Sequence, residues 1–193
     1  MRITGGTAKG HNLATPKSSV RTIRPTSDRT REALFNILAA DIPGSVVLDL
    51  YAGTGSLGIE ALSRGADSAY FVDHSRQALA LIHANLCHCF TSPRASLQQL
   101  HLARTKDKQL LRILPSDPHF DIIFLDPPYE RKLALFTLEM IERTDILNVN
   151  GTIVVEERKN EQLPTCCGQL RLADRRQYGE TGLWLYQKMQ NRL

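Results

Sequence analysis

Short apolar runs recur along this chain, and each ends at a turn. Residues 45–50 (SVVLDL), 68–72, 121–125 (DIIFL) and 152–156 are too short for helices and rich in β-branched and aromatic side chains, so they predict strands. A run that is apolar on nearly every residue suits a parallel strand covered on both faces. Between these runs the period lengthens. Ala33, Leu34, Ile37 and Leu38 fall on one face of a helix predicted over residues 28–40, with Thr26 or Ser27 as its cap. Further helices are predicted from the glycine-rich loop to about Arg64 and over residues 75–89, 107–114 and 132–143. A short strand is predicted near residues 95–98, a turn over 148–151, and two closing strands within 170–188 joined at residues 178–182. Strands alternating with helices imply an α/β, Rossmann-like fold: a mostly parallel, seven-stranded sheet with helices on both faces. The closing strand pair predicts an antiparallel edge.

Residues 1–25 break this pattern. Small and polar residues alternate there with Gly5, Gly6, Gly10 and two prolines, which predicts a hairpin or extended arm without a core of its own. The organisation expected is an arm over residues 1–25 and one domain over 26–193. Charge sharpens the distinction. Residues 1–31 carry seven basic side chains (Arg2, Lys9, Lys17, Arg21, Arg24, Arg29 and Arg31) against Asp28 alone, a net +6. The whole chain is +4, so the remainder is −2. A positive excess confined to one segment favours a polyanionic partner, most plausibly nucleic acid. Arg21, Arg24, Arg29 and Arg31 are its candidate contacts.

At 193 residues and 42% hydrophobic content the chain suffices for one well-packed domain. No run of about 18 apolar residues is present to span a membrane, and residues 1–13 lack the apolar core of a signal peptide. The four cysteines, Cys87, Cys89, Cys166 and Cys167, lack zinc-finger or thioredoxin-like spacing, so reduced thiols in a cytoplasmic protein are expected. His83, Cys87 and His88 lie close together on one predicted helix. They read as surface and core residues, and no metal site is expected.

Three motifs carry the chemistry. Asp49-Leu-Tyr51-Ala-Gly53-Thr-Gly55 joins the first strand to a helix. Its glycines let backbone approach a ligand, and the helix start leaves free N–H groups. Asp73 ends the second strand, where a carboxylate can hold both hydroxyls of a ribose. Asp126-Pro127-Pro128-Tyr129 ends the strand over residues 121–125. The prolines stop the ladder, the acid and the proline carbonyls can accept from an NH₂ group, and the tyrosine can stack on a flat base. All three belong to strand carboxyl ends, the place where open α/β sheets bind ligands.

These stretches resemble the RsmD family of class I S-adenosylmethionine-dependent methyltransferases. The matching segments are residues 2–13 (RITGGTAKGHNL), 24–38, 49–65 (DLYAGTGSLGIEALSRG), 71–73 (FVD), 121–129 (DIIFLDPPY) and 178–186 (YGETGLWLY), in the family's order. The resemblance implies a class I methyltransferase fold. The activity implied is methylation of the N2 amine of a guanine in bacterial 16S ribosomal RNA. It further implies that Asp49, Tyr51, Gly53, Gly55 and Asp73 hold S-adenosylmethionine, and that Asp126, Pro127 and Tyr129 hold the target base. A lone basic arm on a small domain suggests an assembled small-subunit particle as substrate; nothing in the sequence demands a dimer, so a monomer is expected. The family usually places an acid against the adenine amine after the third or fourth strand. Residues 93–104 (PRASLQQLHLAR) contain none.

Three rivals remain at this point. An adenine N6-methyltransferase acting on DNA shares the Asp126–Tyr129 turn but usually adds a separate recognition region. A nicotinamide dehydrogenase would use Gly53–Gly58 and leave both the arm and the turn unexplained. A non-catalytic RNA-binding module would transfer no methyl group.

Overall fold

The computed structural model describes residues 1–16, 28–116, 119–129 and 132–189. They fall into two compact units, Met1–Gln99 and Leu100–Leu193.

The first unit begins with a tight hairpin. Arg2 and Asn12 form a bridge, Ile3 N–H donates to the His11 carbonyl at 2.9 Å, and Leu13 N–H donates to the Met1 carbonyl at 2.9 Å. Ile3, Ala8 and Leu13 are buried. The described part of the expected arm therefore contributes apolar side chains to the core. Helix α1 (Asp28–Ile37), strand β1 (Val46–Leu50), α2 (Ser56–Ser63), β2 (Ser68–Asp73), α3 (Arg76–Cys89) and β3 (Ala95–Gln99) follow. β2 lies between β1 and β3, and both pairings are parallel. Helix α1 ends three residues before the predicted limit. Helix α2 packs so closely on β2 that a Cβ at Gly58 would collide with the Phe71 ring, which is why glycine sits within this helix.

A buried ion pair organises this unit. Glu60 on α2 is fully buried, and its two carboxylate oxygens accept from four donors. Oε2 takes Thr4 N–H at 2.8 Å and Arg31 Nε at 3.3 Å. Oε1 takes the Thr4 hydroxyl at 2.7 Å and Arg64 Nε at 2.8 Å. Arg31 is equally buried and also reaches Asp28 and the Arg2 carbonyl. This corrects the expectation that Arg31 contacts nucleic acid: its guanidinium is enclosed in the core by the helix-borne carboxylate. Arg29 is exposed, whereas Arg21 and Arg24 lie outside the described residues.

The second unit contains a 3-10 turn (Leu102–Arg104), α4 (Asp107–Ile113), β4 (Phe120–Leu125), α5 (Leu133–Thr144), β5 (Leu147–Arg158), β6 (Cys166–Cys167), β7 (Leu170–Tyr178) and β8 (Thr181–Lys188). β4 and β5 pair in parallel; β5–β8, β8–β7 and β7–β6 are antiparallel. The described residues thus contain eight strands where seven were predicted, the extra one being the two-residue β6. The turn predicted over residues 148–151 is a bulge inside β5. Phe120 faces Leu147 but Ile122 faces Thr152, so two steps along β4 match five along β5. Asn150 absorbs the excess at φ 64°, and the Asn148 amide donates to Asp121 Oδ1 at 2.7 Å across it.

Removing one partner of a buried ion pair leaves the other charge stranded. Glu60→Ala is expected to destabilise the protein by about 3–5 kcal/mol in urea unfolding, and Arg31→Met/Glu60→Met to recover most of that loss. A Glu60→Ala cost below about 1 kcal/mol, the value of an exposed pair, would contradict this organising role.

Candidate active site

The first cluster forms where β1 and β2 end. β1 delivers Asp49 into the interior, where its carboxylate accepts Gly58 N–H at 2.9 Å, in the first turn of α2. Tyr51 and Gly53 adopt φ 61° and 55°, and Gly55 caps α2 at φ 74°. Left-handed backbone is costly for most residues, so the glycines fit these positions. Ile82 and Ile59 crowd Gly55, whereas a Cβ at Gly53 would meet only the Tyr51 carbonyl, at 3.8 Å. Gly53 therefore presents open backbone.

Asp73 ends β2 and turns back to the loop. One carboxylate oxygen accepts Gly53 N–H at 2.9 Å and the other Ser75 N–H at 2.8 Å. α3 itself is capped by the Ser75 hydroxyl, which accepts from Ala78 N–H at 3.3 Å. Two carboxylate oxygens offer about four acceptor sites; the His74 ring lies 3.2 Å from the oxygen that takes Ser75 N–H, so capacity for ligand hydroxyls remains chiefly on the oxygen that takes Gly53 N–H. Asp49, Tyr51, Gly53, Gly55 and Asp73 are thus gathered in one loop system. At the end of β3, Gln99 accepts from Arg76 Nε at 3.2 Å and donates to the His74 carbonyl at 3.0 Å, and Gln98 donates to the Ser96 hydroxyl at 3.3 Å. Neither glutamine supplies the missing acid.

Asp49 has the most perturbed environment here. Burial pushes its carboxyl up to about 8; the Gly58 hydrogen bond lowers it in part, and the Asp73 charge raises it further. A cationic group arriving beside Asp49 would offset this cost. The loop therefore fits a ligand with an ammonium at one end and ribose hydroxyls at the other, as S-adenosylmethionine has.

The second cluster lies at the end of β4. Asp126 and Tyr129 are half-buried, Pro127 is buried and Pro128 is exposed. The Tyr129 hydroxyl donates to Glu156 Oε1 at 3.4 Å, and the Arg158 guanidinium lies 5.8 Å from its ring centroid. Burial first, then the charges of Glu156 and Asp126, hold the Tyr129 phenol well above its ordinary range. It is consequently a neutral ring and not a base at physiological pH. Glu156 and Arg158 at the end of β5 were not among the predicted site residues, because their link to Tyr129 spans 27 positions or more. On α3, Cys87 Sγ lies 3.9 Å from His83 Nδ1, whereas the His88 ring faces His11.

An α/β fold with a glycine loop, an acid ending β2 and an Asp-Pro-Pro-Tyr turn ending β4 defines a class I methyltransferase. The solved structure described as "Putative methyltransferase yhhF from Escherichia coli" superposes with a TM-score of 0.81 at 32% identity, covering 98% of both chains. A family model described as "Conserved hypothetical protein 95" matches residues 1–187. Ribosomal RNA small subunit methyltransferase D of Escherichia coli is 35% identical over 97% of this chain and 90% of its own length. Its namesake from Haemophilus influenzae is 34% identical over 86% of this chain and 82% of its own length. The chain belongs to this family, RsmD, the one its motifs resemble. These relatives do not favour the DNA adenine reading.

The raised Asp49 carboxyl makes stability depend on pH. An acid whose folded value exceeds its unfolded one binds more protons in the native state, so wild-type stability falls as pH rises from about 4 to about 8. Asp49→Asn mimics the protonated form and still accepts from Gly58. It is expected to be more stable than wild type at pH 8 by more than about 1.4 kcal/mol, the equivalent of one pKa unit, with the gap closing toward pH 4. Urea unfolding across this range checks it, and a gap independent of pH would refute it.

Proposed function

We propose that this protein transfers a methyl group from S-adenosylmethionine to the exocyclic N2 amine of a guanine in 16S ribosomal RNA, within an assembled small-subunit particle. The observation that carries the reading is the turn ending β4. It offers a half-buried carboxylate, a proline carbonyl and a neutral aromatic ring held by Glu156. Family membership supports the same substrate class, since the Escherichia coli relative is named for methylation of small-subunit ribosomal RNA.

When bound, S-adenosylmethionine supplies an activated methyl group on a sulfonium. A guanine N2 lone pair is delocalised into its ring and is a poor nucleophile, so positioning contributes more than a strong base. Asp126 and the Pro127 carbonyl accept the two N–H bonds of the amine. This directs the nitrogen lone pair toward the methyl donor and stabilises positive charge developing on nitrogen. The proton then leaves to Asp126 or to water. Tyr129 stacks on the base, which is worth about 1–3 kcal/mol in comparable single-strand contacts. A base within a helix must first leave its stack to reach such a turn. Asp49, Tyr51, Gly53, Gly55 and Asp73 bind the cofactor, Asp73 through its remaining acceptor sites. Arg21, Arg24 and Arg29 contact phosphates.

Two experiments test this reading. Asp126→Ala is expected to abolish transfer of tritiated methyl to small-subunit particles while cofactor affinity stays near wild type. Retention of more than about a tenth of the wild-type rate, roughly 1.4 kcal/mol, would refute the role of Asp126. Replacing Arg21, Arg24 and Arg29 by glutamine is expected to weaken RNA binding and flatten its salt dependence by about one unit of log–log slope per lost phosphate contact. An unchanged slope would remove these side chains from the interface.

A further inference from the structure

The hairpin at the start of the chain holds the helix that leaves the glycine loop. Thr4 binds Glu60, and Ala8 N–H donates to the Ser63 hydroxyl at 2.9 Å, which itself donates to the Gly5 carbonyl at 2.6 Å. These contacts engage the second half of α2. A separate contact engages the loop itself.

Asn85 lies on the buried face of α3, between Ile82 and Leu86, and is 2% exposed. Its Oδ1 accepts Ala14 N–H at 2.8 Å. Its Nδ2 donates to the Ala14 carbonyl at 3.2 Å and to the Thr54 carbonyl at 3.0 Å. Thr54 stands between Gly53 and Gly55, and its hydroxyl lies 3.7 Å from Met1 Sδ. One amide thus satisfies both backbone groups of Ala14 and fixes the carbonyl at the centre of the loop. The Ile82 side chain, one turn earlier on α3, packs where a Cβ at Gly55 would lie, 3.1 Å away. The same helix face therefore holds the loop at two adjacent residues.

An apolar residue at position 85 would leave two carbonyls and one N–H without this partner. Ala14 is exposed and its backbone groups can turn to water, but the half-buried Thr54 carbonyl would lose the donor that fixes it, so the loop would shift around Thr54. Gly53, whose N–H is bonded to Asp73, would move with it.

We infer that Asn85 is a positioning residue for the cofactor, joining the chain-start hairpin to the glycine loop so that both belong to one binding platform. The inference rests on the cofactor reading proposed above. It assigns no chemistry to Asn85, which acts through Thr54.

The test compares Asn85→Ala, Asn85→Asp and Ser63→Ala. Asn85→Asp keeps the acceptor for Ala14 N–H but loses the donor to Thr54. Ser63→Ala loosens the hairpin without touching the loop. S-adenosylhomocysteine affinity is measured by calorimetry, and KM for S-adenosylmethionine, kcat and melting temperature are measured on wild type and each variant. Both Asn85 variants are expected to weaken cofactor binding and raise KM about tenfold, equivalent to about 1.4 kcal/mol of binding, with kcat within about twofold of wild type. Ser63→Ala is expected to lower the melting temperature with unchanged cofactor affinity. Asn85→Asp behaving like wild type, or Asn85→Ala lowering only the melting temperature, would overturn the inference while leaving the cofactor reading intact. Wild-type protein that binds no S-adenosylhomocysteine would overturn both.

Discussion

A single buried carboxylate sets the geometry of the amino-terminal unit. Glu60 sits on the first helix after the glycine loop, and every acceptor site on it is taken: two by Thr4, one by Arg31 and one by Arg64. An ionised group in such a place is tolerated only when fully paired. Its four donors come from the hairpin, from α1 and from the residue that caps the end of α2, so those three elements must be correctly placed at once. The cost of an unmet charge thereby becomes a constraint on the helix that follows the glycine loop. A well-packed apolar contact could match the stability but would specify less about orientation, because dispersion and burial lack direction.

Periodicity made most of the fold legible. The strands over residues 45–50, 68–72 and 121–125 and the helix over 75–89 are found within a residue or two of their predicted limits. Their runs are uniform and end at glycine, proline or a capping serine, so local sequence and tertiary environment agree. Failures cluster where a polar side chain occupies a buried position. Arg31 reads as a surface cation because its partner is 29 residues away. Glu60 and Asn85 drew no expectation from the sequence, since their partners at Thr4 and Ala14 lie 56 and 71 positions back. Local reasoning has no means of finding such partners. A signal was nonetheless present: each is the polar residue at helical spacing among side chains that must be buried. The bulge in β5 was misread for a related reason. Asn148–Gly151 has turn composition, and the β4–β5 register passes over these four residues, but pairing at Leu147 and again from Thr152 makes them a bulge within one strand.

The candidate site shows the same division. Asp49, Gly53, Gly55 and Asp73 form one connected system, in which Asp73 bonds the Gly53 amide and Asp49 bonds the start of α2. Spacing alone could place these residues at strand ends, but not foretell that the two acids also build the loop. Asp73 thus has two tasks: it shapes the backbone and presents acceptors. At the other motif, composition identified Asp126 and Tyr129 but missed the β5 residues that hold the tyrosine. Glu156 is reached only through parallel pairing of β4 with β5.

The environment of Tyr129 bears on the chemistry that this turn can perform. Burial and, after it, nearby carboxylates keep the phenol protonated, so the ring contributes a neutral face and a donor to Glu156. Such an arrangement suits an electron-poor amine attacking a methyl donor that is already activated. The difficulty there is orientation and the positive charge that develops on nitrogen, and surrounding carboxylates favour that charge throughout the approach. The pair Asp126 and Tyr129 offers an acceptor and a surface, which is what a positioning mechanism requires.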